Sequence, residues 1–325
     1  MTARAALTVV GGPTRREPIR MGFGRGLLAA GVRDDRVVAL CADLAESTQM
    51  HLFRDRFPDR FIEVGVAEQN LVTVASGMAA AGRIPFTSSY AAFSPGRNWE
   101  QIKTTAALND QPVKVVGSHT GLSVGPDGAT HQMLEDIALM RVLPNMVVVA
   151  PGDSIEAEKA TLAVAANGSP SYLRLARAST PVFTKDDDPF EIGQAYVLRE
   201  GRDVTLAGTG TMTCQLLVAA ADLAARGVSA EVVHVPTIKP LDAGTLLSSV
   251  AKTGLMVSAE EAQVAGGFGG ALAELLSEQM PAPLLRCGVH DRYGESGDPG
   301  GVLRKFGLTG GQLAGQILAF IRGRR

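Results

Sequence analysis

Cysteine is scarce in this chain: Cys41, Cys214 and Cys287 are all it has, odd in number and far apart. No disulfide framework or metal-ligand spacing can be built from them, and the pattern suits a reducing, cytoplasmic setting. Net charge is almost absent, formally -2. Neither nucleic acid nor an acidic membrane surface is therefore expected as a partner. No apolar run is long enough to span a bilayer, and the opening Met-Thr-Ala-Arg leads into no apolar signal-peptide core. Aromatic residues make up 5% of the chain, against 37 glycines. That balance favours an α/β protein with many tight turns. With 46% hydrophobic and 20% charged residues over 325 positions, two compact domains are expected and disorder is not.

Short β-branched runs alternate with amphipathic stretches. Val37–Cys41, Phe61–Val64, Ile84–Thr87, Val113–Gly117, Met146–Ala150 and Tyr172–Leu175 read as buried strands. Leu71, Val74, Ala75 and Met78 fall on one helical face, and Ser154–Ala166 reads as another helix. The alternation implies a parallel sheet covered by helices. It lapses around the Pro-bounded polar stretch Pro181–Gly193, which contains Lys185-Asp186-Asp187-Asp188. A second series follows: strands Val204–Ala207, Ala230–Val235, Leu255–Ser258 and Leu284–Val289, and helices Met212–Arg226, Gly269–Glu278 and Gln312–Ile321. The expected organisation is an N-terminal arm (1–17), a first α/β domain (18–180), a linker (181–193) and a smaller α/β domain (194–325).

In open parallel sheets, ligands sit at the carboxyl ends of the strands. In the first half those ends carry Asp43, Glu68, Tyr90, His119, Asp127, His131 and Arg177; in the second they are mostly Gly, Ser and Thr. Chemistry is therefore expected in the first half. A lone glutamate at a helix start, like Glu68, is ordinarily a charge that complements the macrodipole. Asp127 in Pro126-Asp127-Gly128 suits an Asx turn on its own. Gly266-Gly267-Phe268-Gly269-Gly270 does not fit a dinucleotide fingerprint and reads as close helix packing and a turn at a domain interface.

Several segments in order resemble the transketolase family over roughly residues 18–325. They are Ala42-Asp43-Leu44-Ala45-Glu46-Ser47, the Glu68 segment Val64-Gly65-Val66-Ala67-Glu68-Gln69-Asn70, Thr87-Ser88-Ser89-Tyr90-Ala91-Ala92-Phe93, and His119 through Gly125-Pro126-Asp127-Gly128-Ala129-Thr130-His131-Gln132. Glu260-Glu261 ahead of the glycine cluster is similar to the family's C-terminal domain. The resemblance implies a pyrimidine-binding domain of the thiamine-diphosphate-binding type, with a parallel sheet, followed by the smaller C-terminal domain. It implies that Glu68 bonds N1′ of the aminopyrimidine of thiamine diphosphate and so promotes loss of the thiazolium C2 proton; the cofactor then carries the chemistry. Phe93 would stack on that ring with Tyr90 beside it, and Asp43 would lie near the thiazolium. His131 would bond the donor's carbonyl or hydroxyl and help move protons, and Asp127 would bond a hydroxyl. Arg20, Ser47, His119 and Arg177 match positions that bind sugar phosphate.

The family's Gly-Asp-Gly segment, which holds Mg²⁺ and the diphosphate through oxygen ligands, has no counterpart here; Gly152-Asp153-Ser154 and Gly297-Asp298-Pro299 are not substitutes. The Met start and the length look like a whole gene product. The expectation is therefore the β subunit of a split transketolase, with Mg²⁺ ligands on a separate α subunit in an α₂β₂ heterotetramer and small sugars as substrates. The alternatives are the β subunit of a 2-oxo acid decarboxylating enzyme, a deoxyxylulose phosphate synthase-like protein, or a non-catalytic paralogue. His119 and His131 with Asp127 favour ketol transfer over the first two, and Glu68 argues against the third.

Overall fold

The computed structural model describes residues 15–324, so most of the expected N-terminal arm lies outside the described residues. Its end is not an arm: Arg16–Pro18 (β1) pairs antiparallel with Ser179–Pro181 (β8), at the start of the expected linker. The first sheet contains Val37–Cys41 (β2), Phe61–Glu63 (β3), Ile84–Tyr90 (β4), Lys114–Thr120 (β5), Val147–Val149 (β6) and Ser171–Ala176 (β7). It is seven-stranded, in the order β12-β6-β7-β5-β4-β2-β3. All neighbours are parallel except β12 (Thr237–Lys239), an antiparallel edge strand contributed by the second half of the chain. The second sheet holds Tyr196–Arg199 (β9), Val204–Gly208 (β10), Ala230–His234 (β11), Met256–Gln263 (β13) and Leu284–Val289 (β14), ordered β14-β13-β10-β11-β9.

Strands such as β2 and β10 are buried at every position, which is why they read as unbroken apolar runs. Helix Ile19–Arg33 lies directly on helix Ser154–Ala166; a Cβ added at Gly22 would come 1.8 Å from the Ser154 carbonyl oxygen. The glycine is tolerated mid-helix because only its bare Cα permits that approach. Asp153 caps the second helix, accepting from the Glu156 N–H at 3.0 Å through Oδ1. Its Oδ2 accepts from the N–H groups of Phe183 and Thr184 at 2.7 and 2.6 Å, so the expected linker is tied to the first domain. One apolar cluster runs from Leu71, Val115 and Val148 beneath the first sheet to Val233, Val235 and Phe268 in the second half. The halves therefore share a core.

One expectation shifts. Glu260 and Glu261 lie on β13 itself, which runs five residues beyond the expected strand end at Ser258. The glycine cluster turns into helix Phe268–Gln279, and a Cβ on Gly266 (φ +71) would sit 3.0 Å from the Ala138 Cβ of the first half, as expected of an interface turn.

Candidate active site

The carboxyl ends of β2, β3, β4, β5 and β7 converge on one cleft. After β3 the chain turns sharply at Gly65 (φ 71) and begins helix Glu68–Ala80. The Glu63 carboxylate ties two of these loops together, its Oε1 accepting from the Asp43 and Gly65 N–H groups at 2.8 and 2.9 Å. Glu68 is 3% exposed. Its Oε1 accepts from the Ser89 hydroxyl at 3.2 Å; no hydrogen bond reaches Oε2 among the described residues. Buried Asn98 donates to the Glu68 carbonyl at 2.7 Å and anchors the helix start. Asp43, Glu68 and Phe93, together with Val66 and Arg97, line an open pocket of about 210 Å³. It combines a buried acceptor with an aromatic face, which is what a flat, protonatable heteroaromatic ring requires.

Beside it lies a cationic cluster. Arg20, in the first turn of its helix, places Nη1 3.2 Å from Nε2 of His119, while its Nε is buried without a partner among the described residues. Arg177, just past β7, donates to the Val124 carbonyl at 3.1 Å. Burial, and then the nearby Arg177 charge, lower the pKa of Arg20. His119 is 1% exposed and holds a left-handed backbone (φ 58). Burial, with the positive charges of Arg20 and Arg177 and with His131 beside it, pushes its pKa down to about 3, so the ring is neutral. It stacks on Tyr90 with centroids 3.7 Å apart, and the Tyr90 hydroxyl lies 2.7 Å from Ser47 Oγ. Two partly buried guanidinium groups, neither bonded to a carboxylate among the described residues, give the cluster its positive charge.

Ring contacts bridge the two regions. Tyr90 and Phe93 lie 6.1 Å apart, nearly parallel, and His131 stands edge-on to Phe93 at 5.4 Å. Tyr90, expected beside the cofactor ring, thus belongs equally to the cationic cluster. His131 follows the loop Leu122–Asp127, and its Nδ1 is 2.8 Å from the Thr130 hydroxyl. Asp127 is exposed at the loop's end, and no hydrogen bond joins it to the other candidates among the described residues.

Sequence reasoning singled out neither Glu63 nor Ser89 nor Asn98, and did not expect the second half to shape the site. The Glu261 carboxylate accepts from the Ser123 N–H and, at 3.0 Å, from the Thr211 hydroxyl, gripping the loop that carries Asp127. The Arg174 guanidinium bonds Asp136 at 2.7 Å and the Glu261 carbonyl at 2.9 Å; the Tyr172 hydroxyl donates to Asp136 at 2.8 Å. The nearest signal was Arg174 itself, a charge inside an apolar strand, which needs a buried partner.

A model of the transketolase pyrimidine binding domain matches residues 18–182, and one of the transketolase C-terminal domain matches residues 193–313. The chain is 43% identical over 287 residues to the 6-deoxy-6-sulfo-D-fructose transketolase subunit SqwH of Clostridium sp. (strain MSTE9), covering 88% of this chain and 89% of that protein. It is 40% identical to a putative transketolase C-terminal section of Methanocaldococcus jannaschii, covering 92% and 95%. A 1-deoxy-D-xylulose-5-phosphate synthase of Thermomicrobium roseum is 36% identical over 98% of this chain, but over only 51% of its own length. Among solved structures, a split gene transketolase in an inactive β4 tetramer superposes with a TM-score of 0.88 at 40% identity, covering 95% of this chain and 99% of that one. The transketolase of Campylobacter jejuni shares the fold at a TM-score of 0.80 and 22% identity.

Proposed function

Because the chain belongs to the transketolase family, we propose that it is the β subunit of a split transketolase, moving a two-carbon ketol unit from a ketose with an anionic head to an aldehyde acceptor. The observation that carries this is the pairing of Glu68 and Phe93 in one pocket with the Arg20–His119–Arg177 cluster beside it. The pocket's buried acceptor and aromatic face fit the aminopyrimidine of thiamine diphosphate. When bound, that cofactor supplies the nucleophilic carbon that carries the ketol unit.

On this reading the Glu68 carboxylate would hold the aminopyrimidine N1′ and exchange a proton with it, while Ser89 bonds that carboxylate and Asn98 holds the Glu68 main chain. Phe93 is the stacking face, Tyr90 buttresses it, and Asp43 supplies negative charge at the pocket rim. Arg20 and Arg177, with Ser47, take the anionic head, and His119 stands among them. A phosphate fits there; so does a sulfonate, the group in the name of the Clostridium relative. His131, at the boundary of the two regions, would bond the reacting carbonyl or hydroxyl, and Asp127 would reach a further hydroxyl from its loop. The 2-oxo acid and deoxyxylulose phosphate synthase alternatives share Glu68, but two histidines around one site favour ketol transfer. Relatives matched along nearly their whole length, with names that mark them as a subunit or C-terminal section, support a separate α subunit in an α₂β₂ enzyme. That subunit would bring Mg²⁺ and the diphosphate site. The three buried cysteines suit a cytoplasmic location.

Calorimetry and turnover assays of the purified chain, alone and with a purified α subunit, test the proposal. Tight binding of thiamine diphosphate and Mg²⁺, with ketol transfer, is expected only for the pair. Submicromolar binding or turnover by this chain alone would overturn the split reading.

A further inference from the structure

His119 has two ring nitrogens with unlike neighbours. Nε2 faces Arg20 Nη1 at 3.2 Å; Nδ1 faces the hydroxyl of Ser118 at 2.8 Å. A guanidinium has donors and no acceptor, so Nε2 must carry a lone pair. A neutral imidazole bears one proton, which then sits on Nδ1 and is donated to Ser118 Oγ. Held this way, His119 offers nothing to an anion: its only N–H points away from the cluster, and its lone pair points in. Binding an oxyanion through His119 needs the opposite tautomer. Ser118 permits that exchange because a hydroxyl accepts from Nδ1–H or donates to bare Nδ1 with equal ease. The serine is fully buried, so no water substitutes for it.

We propose that Ser118 is a positioning residue that lets His119 exchange tautomers: Arg20 holds the ring as Nδ1–H, and an anion that draws Arg20 away converts it to Nε2–H, which donates into the cluster. The ring takes one proton on Nε2 and releases one from Nδ1, with water as donor and acceptor during brief openings of the site, so it is neutral before and after the exchange. Its low proton affinity, set first by burial and then by the flanking arginines and His131, is what keeps the intermediate charged form scarce. Tyr90, stacked on the ring, and Ser47 Oγ, 3.5 Å from Nε2, keep the imidazole oriented during the exchange. The proposal rests on the reading of Arg20 and Arg177 as an anion receptor but not on ketol transfer.

The test is nitrogen NMR of the full-length chain labelled with ¹⁵N-histidine. It has only five histidines, and a His119→Gln variant assigns the signal. Without added anion, Nε2 of His119 is expected at the position of an unprotonated ring nitrogen. Titration with inorganic phosphate should move it to that of a protonated one, with Nδ1 moving the opposite way. Ser118→Ala, which removes the partner of Nδ1 in either tautomer, should leave a single pattern that phosphate does not change, and Ser118→Thr should restore the switch. A ring that is Nε2–H before phosphate is added overturns the proposal. So does one that stays Nδ1–H to the highest phosphate concentration, whether no anion binds or Arg20 does not turn. The measurement needs no turnover, so a chain that switches but transfers no ketol group sinks the proposed function and leaves this inference standing.

Discussion

Glu68→Gln is the substitution that isolates chemistry from architecture. The side chain is nearly isosteric, and its surroundings make few demands: Oε1 accepts from Ser89, the main-chain carbonyl accepts from Asn98, and no hydrogen bond reaches Oε2 among the described residues. An amide oriented with its oxygen toward Ser89 keeps that bond and places its NH₂ group where Oε2 was. Unfolding free energy should therefore change by less than about 1 kcal/mol, one ordinary hydrogen bond's worth. The amide cannot exchange a proton with a bound aminopyrimidine. Removing an acid–base partner of this kind typically costs a factor of about 10² to 10⁴, or about 3 to 5.5 kcal/mol of barrier. The assay is exchange of the cofactor's C2 proton for deuterium in the assembled α–β complex, quenched and read by NMR. Slower exchange with intact assembly is the expected outcome. Exchange at the wild-type rate would show that Glu68 is only a helix-end charge and that the site is misassigned.

The paired substitution Arg20→Ala/Arg177→Ala should raise KM for an anionic ketose by roughly tenfold to a hundredfold, the worth of a lost charge-assisted bond, and leave an uncharged donor such as a free ketose nearly unaffected; equal losses on both would make the arginines structural. Asp136→Ala strands the buried Arg174 guanidinium and should cost about 3 to 5 kcal/mol in urea unfolding, so a loss below about 1 kcal/mol would contradict the central place given to that pair. His119 is held neutral in the folded chain, its pKa down at about 3 from an ordinary 6.5. The stability this represents is complete above pH 6.5 and is lost as pH falls toward 3, up to roughly 4 to 5 kcal/mol. Unfolding midpoints of wild type and His119→Gln, compared from pH 7 to 4, should converge as acid is added; parallel curves would refute the assigned cause.

Fully buried strands such as β2 and β10 were legible because a parallel sheet covered on both faces leaves an unbroken apolar run. β12 was not, because three residues pairing with a strand nearly ninety positions away leave no local signature. The site divides in the same way. Glu68, Phe93, His119 and the two arginines stand at strand ends or helix starts, where polar residues are conspicuous, and the fold does bring them to one cleft. The groups that hold them in place, Glu63, Ser89, Asn98 and Glu261, each act through one or two hydrogen bonds, most of them to atoms remote in sequence, and nothing in their spacing announces it. β13 ran past its expected end because Glu260 and Glu261 look like loop residues. Buried, the first is satisfied by the N–H groups of Phe268 and Gly269 at 2.7 and 2.8 Å, and burial lifts its pKa to about 7.

Because β12 closes the edge of the first sheet at β6, a ribosome making this chain cannot complete its N-terminal domain when residue 180 emerges. Val147–Val149 waits, with one side of its backbone unpaired, until Thr237–Lys239 has left the exit tunnel. An open strand edge invites pairing with other chains. A gene truncated in the linker should therefore yield not a smaller folded domain but a sticky one, and evolution could not shuffle the second half onto another partner without supplying a substitute strand.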